Sequence, residues 1–147
     1  MQANRLKTEH LFDPIGVDFT APRLFWNCEG GKKQTAYQIV AADNSGSVLW
    51  DSGRVESAAM CVRWNGAPVP PKTKVLWNVR LWDENGNSGD WAEASFETGI
   101  NTWSAEWITG DYKVNKKERY PVDCFRKAFH AADVKKARLY ITACGLY

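Results

Sequence analysis

The sequence predicts an all-β protein: a seven-stranded antiparallel β-sandwich followed by an incomplete β segment. Three observations predict this fold. Apolar and polar residues alternate with a period of two in short segments, and turn residues separate those segments. No segment sustains the 3.6-residue period of an amphipathic helix. Seven short strands within about 85 residues are typical of immunoglobulin-like and fibronectin type III sandwiches.

The first four predicted strands are each bounded by breaks in the apolar pattern. They cover residues 17–19, 22–26, 34–42 and 47–51. In the second strand Leu24 and Trp26 share a face, and in the third Tyr37, Ile39 and Ala41 do the same. The turn 43–46, Asp-Asn-Ser-Gly, separates the third strand from the fourth, and a Ser-Gly pair closes the fourth.

The remaining three strands cover residues 60–64, 75–83 and a segment around Phe96. The strongest alternation lies at 75–83, where Val75, Trp77, Val79 and Leu81 share one face. A Pro-rich connection precedes this strand, and a turn rich in Asn and Gly follows it. We expect Trp26, Tyr37, Trp77 and Phe96 to fill the core between two sheets. The Cys…Trp…Cys pattern of true immunoglobulin domains is missing.

A boundary is predicted near Gly99–Thr102, which divides the chain into a sandwich at 1–100 and a second β region at 101–147. Strands are expected at 124–129 and 134–143, and the second carries Leu139 and Ile141 on one face. Two strands make too small a core to fold alone. We therefore expect the chain to be the front part of a longer protein. Of three outcomes for this region (disorder, a hairpin packed on the sandwich, or strand exchange between two copies), the pattern favours a homodimer through the C-terminal strands.

Composition excludes several classes of function. The net charge of +2 is too small for a nucleic-acid or anionic-membrane surface, and no run of 18 apolar residues predicts a transmembrane helix. The first ten residues lack the apolar core of a signal peptide, so we expect a cytoplasmic protein. Cys28, Cys61, Cys124 and Cys144 are then expected to be free, buried thiols.

No catalytic, metal or cofactor site is predicted. The acidic candidates sit at strand ends and in turns, where Asp and Glu are ordinary; they are Asp43, Asp51, Glu56, Asp83, Glu84, Asp90 and Glu93. The segment Asp83-x-Asn85-x-Asn87 imitates the start of a calcium loop, but it lacks the Gly and Glu that such a loop needs, so a hairpin turn is predicted. His10 and His130 are isolated in sequence.

Tryptophan is unusually common, with 8 residues, and it supplies the one candidate binding site. Trp64, Trp82 and Trp91 are expected to point away from the core, where an exposed indole could stack on a sugar ring. The alternative is structural: these rings pack at an interdomain contact or against Arg63 and Arg80 as cation–π pairs.

Several motifs follow one another over nearly the whole chain. They are Pro14–Asp18, Pro22–Trp26, Tyr37-Gln-Ile39, Leu49-Trp-Asp-Ser-Gly53, Trp77 to Asp83, Trp91, Phe96-Glu-Thr-Gly99, Trp107-Ile108, Phe125–Phe129, and Ala137–Ala143 with Gly145 and Tyr147. In this order and spacing they resemble the N-terminal region of bacterial α-L-rhamnosidases of glycoside hydrolase family 78. The resemblance implies a fibronectin type III-like sandwich, then a jelly-roll-like β domain of carbohydrate-binding type. It also implies a later (α/α)6 barrel whose acidic residues release terminal L-rhamnose with inversion of configuration.

Three functions are consistent with the sequence. The first, which we favour, is a non-catalytic accessory scaffold of an α-L-rhamnosidase, whose partners are the remaining domains of that enzyme. The alternative is a module that binds rhamnose-containing glycosides through its tryptophans. The third is a protein–protein interaction sandwich, since fold alone does not determine function. No residue of this chain matches a catalytic acid of the resembled family.

Overall fold

The computed structural model describes residues 1–113 and 115–144 and confirms the all-β sandwich. The described residues form nine strands: β1 (Gln2–Thr8), β2 (Ile15–Val17), β3 (Arg23–Glu29), β4 (Ala36–Asp43), β5 (Val48–Asp51), β6 (Val55–Glu56), β7 (Cys61–Arg63), β8 (Lys74–Trp82) and β9 (Ala92–Thr98). Gly145 and Tyr147, which end the last of the family motifs, lie outside the described residues.

The strands form two sheets with the core between them. The smaller sheet has the order β1-β3-β7, and the larger has the order β2-β9-β8-β4-β5, with β6 also paired to β4. β8 is the best-supported strand because β4 pairs with it on one edge and β9 on the other. All pairs are antiparallel except β2 with β9, which are parallel. That pair departs from the predicted antiparallel sandwich.

The predicted core aromatics are confirmed. Trp26, Tyr37, Trp77 and Phe96 are all buried in one cluster, together with the inward aliphatic side chains of β4 and β8. Trp26 also donates its indole N–H to Gln34 Oε1 at 3.0 Å, and the Gln34 amide nitrogen bonds the carbonyls of Ser57 and Ala59. One buried polar side chain therefore ties the 57–59 connection to the core.

Two strands, β1 and β6, were not predicted from the sequence. In β1 the buried residues are Ala3, Leu6 and Thr8, so the period of two breaks between Ala3 and Leu6. The break is a β-bulge where Arg5 has a φ of 50°, and a bulge shifts the following residues to the other face. β6 has only two residues and is defined by its pairing with β4 rather than by a pattern of its own.

The chain divides into two compact units, Met1–Ser104 and Ala105–Tyr147. The second unit has no strand among its described residues, so the predicted strands at 124–129 and 134–143 are wrong. Side chains such as Leu139 are exposed instead. The physical reason is that a strand needs a neighbour to pair its N–H and C=O groups, and no described residue of the unit supplies one. A jelly-roll-like second domain and a homodimer through this region remain predictions.

The cysteine prediction is half right. Cys28, Cys61, Cys124 and Cys144 are all free, but only Cys28 is partly buried and the other three are exposed. Burial raises the pKa of the Cys28 thiol. Among the residues that the structure describes, no helix is long and apolar enough to cross a membrane.

Replacing Trp77 with Ala should destabilise the sandwich by about 3–5 kcal/mol, the usual range for truncating a large buried aromatic. Trp77 is fully buried, and its indole N–H has no described hydrogen-bond partner, so lost packing is the dominant cost. Chemical denaturation followed by circular dichroism measures the change. The matched control is Trp103→Ala, because Trp103 is exposed. A similar, small effect for both variants would contradict the assignment of Trp77 to the centre of the core.

Candidate functional site on the outer face of the larger sheet

The outer face of the larger sheet carries four side chains that stack in alternation. We call Arg54, Trp82, Arg80 and Trp91 the arginine–tryptophan ladder. The Arg54 guanidinium lies 5.0 Å from the Trp82 ring centre, and Arg80 lies 4.9 Å from Trp82 and 4.7 Å from Trp91. Each contact has the geometry of a cation–π interaction. The ladder therefore joins the 54–56 segment, β8 and the start of β9.

The alternation of the strands explains why these residues meet. In β8 the odd-numbered residues from Val75 to Leu81 point into the core, so Arg80 and Trp82 face outward. β9 pairs with β8 through Val79 and Ala92, and Trp91 is the next residue on the β9 side of that pair. It consequently faces the same way as Arg80. Arg54 directly precedes β6, on the opposite side of β4.

A row of hydrogen bonds holds Arg80 in position. Its Nε and Nη2 donate to Gln38 Oε1 at 3.2 and 2.8 Å, and the Gln38 amide donates to Asp51 Oδ1 at 2.9 Å. The same carboxylate oxygen accepts the Gly53 N–H at 2.8 Å. The hydrogen bond from Gln38, followed by that from Gly53, lowers the pKa of Asp51. The row thus runs from a carboxylate on β5 to the guanidinium of β8.

The two tryptophans of the ladder differ in what they offer to a ligand. Trp82 is covered by a guanidinium from Arg54 and another from Arg80 and is only 8% exposed. Arg54 is anchored in turn by an ion pair to Glu56 at 2.9 Å. Trp91 has Arg80 as its cation partner and remains 42% exposed. Of the two tryptophans, Trp91 is therefore the one that a ligand can reach.

Of the three tryptophans predicted to point away from the core, Trp64 is wrong, while Trp82 and Trp91 lie on the outer face; their contact with sugar remains a prediction. Trp64 is 5% exposed and points into the core, where its ring meets Trp50 and Phe96 edge-on and its N–H donates to the Ala67 carbonyl at 3.0 Å. Trp64 lies directly after β7, on the same side of the chain as the inward Val62. β7 has only three residues, which is too few for the sequence to show which of its faces is buried. Trp82 faces outward as predicted, but the ladder covers it.

The structural alternative was partly right. Arg80 forms the predicted cation–π pairs, whereas the second cation is Arg54 rather than Arg63. The sequence did not indicate Arg54 or Gln38 as ladder residues, and it indicated Asp51 only as an acidic residue at a strand end, because the contacts of all three depend on strand register. The sequence does indicate one of these contacts, between Arg80 and Trp82, because residues two apart on a strand share a face.

The acidic turn residues serve as local acceptors. The Asp43 carboxylate accepts the N–H groups of Ser45 and Ser47, and Asp83 accepts those of Asn85 and Asn87. The Ser45 hydroxyl also donates to Asp43 at 2.6 Å, and it is the largest cause of the lowered pKa of that carboxyl, ahead of the N–H groups. At Asp83 the N–H of Asn87 is the largest cause of the lowered pKa. The segment after Asp83 is therefore a turn, as predicted. The part of the chain that the structure describes has no group of three or more His, Cys, Asp or Glu residues that could hold a metal.

Arg80→Ala should lower the free energy of unfolding by about 1–3 kcal/mol, because it removes two cation–π contacts and the two charged hydrogen bonds to Gln38. It should also make the Trp91 ring more mobile, which the indole N–H resonance in a ¹H–¹⁵N NMR spectrum reports. Arg63→Ala is the matched control, since Arg63 is an exposed strand arginine outside the ladder. If both variants unfold at the same denaturant concentration, the ladder contributes nothing to stability.

Comparison with known proteins assigns the sandwich to a family. Residues 3–102 match the family described as the N-terminal immunoglobulin domain of Rha78A-like proteins. Over 113 residues the chain is 36% identical to an alpha-L-rhamnosidase from Streptomyces avermitilis, which covers 69% of this chain and 11% of that protein. It is 30% identical over 160 residues to an alpha-L-rhamnosidase from Formosa agariphila, covering 95% of this chain and 17% of that protein.

A solved structure shows the same fold. The alpha-L-rhamnosidase from Dictyoglumus thermophilum superposes with a TM-score of 0.69 at 31% identity, over 74% of this chain and 14% of that one. The chain thus spans less than a fifth of the length of each of these relatives. Since the family match covers most of the sandwich, the chain belongs to the family of Rha78A-like N-terminal immunoglobulin domains.

Proposed function

We propose that this chain is a non-catalytic N-terminal accessory region of an α-L-rhamnosidase, an enzyme that hydrolyses terminal L-rhamnose from glycosides. The observation that supports this most is the family match over residues 3–102. The curated relatives named above are alpha-L-rhamnosidases, and the aligned region is a small part of each. The remaining length of such an enzyme provides room for a separate catalytic domain.

The chemistry of the described carboxylates supports a non-catalytic role. Glycoside hydrolysis needs two carboxyl groups roughly 5–10 Å apart, one of them a general acid with a raised pKa. The carboxyls of Asp43, Asp51 and Asp83 have lowered pKa values, because hydrogen bonds stabilise their charged forms: chiefly from the Ser45 hydroxyl to Asp43, the Gln38 amide to Asp51 and the Asn87 N–H to Asp83. They are suited to fixing turns rather than to donating a proton.

An apolar segment of the sandwich fits a scaffold role. Leu11, Phe12, Ile15 and Phe19 are each more than half exposed, although they lie within nine residues of one another. Contiguous exposed apolar surface typically marks an interaction site. We propose that this 11–19 segment contacts the remaining domains of the enzyme, which are the partners expected for an accessory region.

The activity prediction uses the 147-residue chain. The purified chain should release no p-nitrophenol from p-nitrophenyl α-L-rhamnopyranoside, and the complete enzyme that contains this chain should release it. The reason is that the carboxyls of Asp43, Asp51 and Asp83 have lowered pKa values, which do not suit a general acid. Release by the isolated chain that persists through purification would contradict the non-catalytic role. An inactive complete enzyme would contradict the rhamnosidase assignment.

The scaffold prediction uses the complete enzyme. Phe12→Ser combined with Phe19→Ser should lower its melting temperature by several degrees while leaving the isolated chain nearly unchanged, since the two rings are exposed in the chain alone. Calorimetry of both forms measures the shift. Val48→Ser is the matched control, because Val48 is equally exposed but lies on β5. Equal shifts from the control and the double variant would show that the 11–19 segment has no docking role.

A further inference from the structure

We propose that Trp91 and the polar groups beside it form a binding site for a neutral saccharide on the outer face of the larger sheet. The first observation is that Trp91 is both exposed and held. It is 42% exposed, yet Arg80 packs against its ring at 4.7 Å. Trp103 is similarly exposed at 45%, but it takes part in none of the described ring contacts. A ring ordered in advance loses little conformational entropy when a ligand stacks on it.

The second observation is the set of polar groups around the ring. Arg80 uses Nε and Nη2 to bond Gln38, which leaves the N–H groups of Nη1 as donors. On the other side, Glu93 is exposed and lies two residues along β9, on the same face as Trp91. A sugar has an apolar C–H face suited to an indole and hydroxyl pairs suited to a guanidinium or a carboxylate. The site offers the indole of Trp91, the guanidinium of Arg80 and the carboxylate of Glu93.

Charge decides between a neutral and an acidic sugar. Two cations, Arg54 and Arg80, lie in the ladder, and three carboxylates lie on or beside it: Asp51, Glu56 and Glu93. The local formal charge is therefore two positive against three negative, or −1. Like charges next to a site disfavour a ligand of the same sign. A neutral sugar meets no such penalty, whereas a uronic acid does.

The rest of the ladder gives the site its rigidity. The Arg80 guanidinium stacks on the Trp82 ring and donates hydrogen bonds to Gln38, and Gln38 in turn donates a hydrogen bond to Asp51. Rigid placement of a binding side chain by its neighbours is what keeps a small site in its productive geometry. One exposed ring with a few hydrogen bonds corresponds to weak binding, with dissociation constants of about 1–10 mM.

The test follows the indole N–H resonances of the ¹⁵N-labelled chain during titration with three probes. They are methyl α-L-rhamnopyranoside, methyl β-D-galactopyranoside and D-galacturonate. The choice of the rhamnoside rests on the proposed function, but the site does not. A neutral probe should shift the Trp91 resonance saturably, and the galacturonate should bind at least about threefold more weakly.

Two variants complete the experiment. Binding to the variants is followed through the backbone amide resonances of Arg80 and Glu93, because Trp91→Ala removes the Trp91 indole itself. Trp91→Ala should weaken binding of the neutral probe by at least about tenfold, and Trp103→Ala should leave it unchanged. Retained dispersion of the NMR spectrum shows that each variant is folded. The inference is overturned if no neutral probe gives a saturable shift by roughly 100 mM. It is also overturned if both variants bind alike, or if the galacturonate binds best.

The outcomes separate this inference from the proposed function. Equal binding of the rhamnoside and the galactoside supports a saccharide site, because the site is assigned to neutral sugars and not to rhamnose alone. A complete enzyme that is inactive on the p-nitrophenyl rhamnoside contradicts only the rhamnosidase assignment. Loss of Trp91 that lowers the stability of the complete enzyme without any saccharide shift would identify the ring as a domain contact and overturn the site.

Discussion

The sandwich depends on β8, a strand that is paired along both edges and buried along one face. β4 and β9 satisfy its backbone hydrogen bonds, while Val75, Trp77, Val79 and Leu81 are all fully buried. An unpaired backbone group or an exposed large apolar face would each cost free energy, and β8 avoids both. The neighbouring strands take their positions from it, because register with β8 sets which face of β4 and β9 enters the core.

The same strand builds the candidate site. Because side chains alternate, the burial of the odd-numbered residues of β8 forces Arg80 and Trp82 to the opposite face. An outward Trp is costly if left in water, and the ladder reduces that cost by covering Trp82 with Arg54 and Arg80. The covering arginine then orders Trp91. The alternation of side chains along β8 therefore both fills the core and sets Arg80 and Trp82 on the outer face. For this reason a structural role for Trp82 and a proposed binding role for Trp91 are compatible.

The second unit shows what happens without such a strand. The segment 134–143 alternates as regularly as β8 does, but it forms no strand, and Leu139 and Ile141 are exposed. Alternation alone supplies a face, whereas a strand also needs a neighbour for its backbone and a surface for that face. Relatives such as the Formosa agariphila enzyme align over 95% of this chain and continue well beyond the aligned region.

The sequence by itself determined the fold class, the strand around Trp77 and the buried aromatics, because alternation within one strand is a local property that hydrophobic burial enforces. It also determined the turn after Asp83, since that turn is built by side chains within four residues of one another. Only the tertiary structure decided the bulge at Arg5, the parallel β2–β9 pair, the inward position of Trp64 and the partnership of Arg54 with Trp82. These features depend on register and on contacts between residues far apart in the chain, which local alternation does not encode.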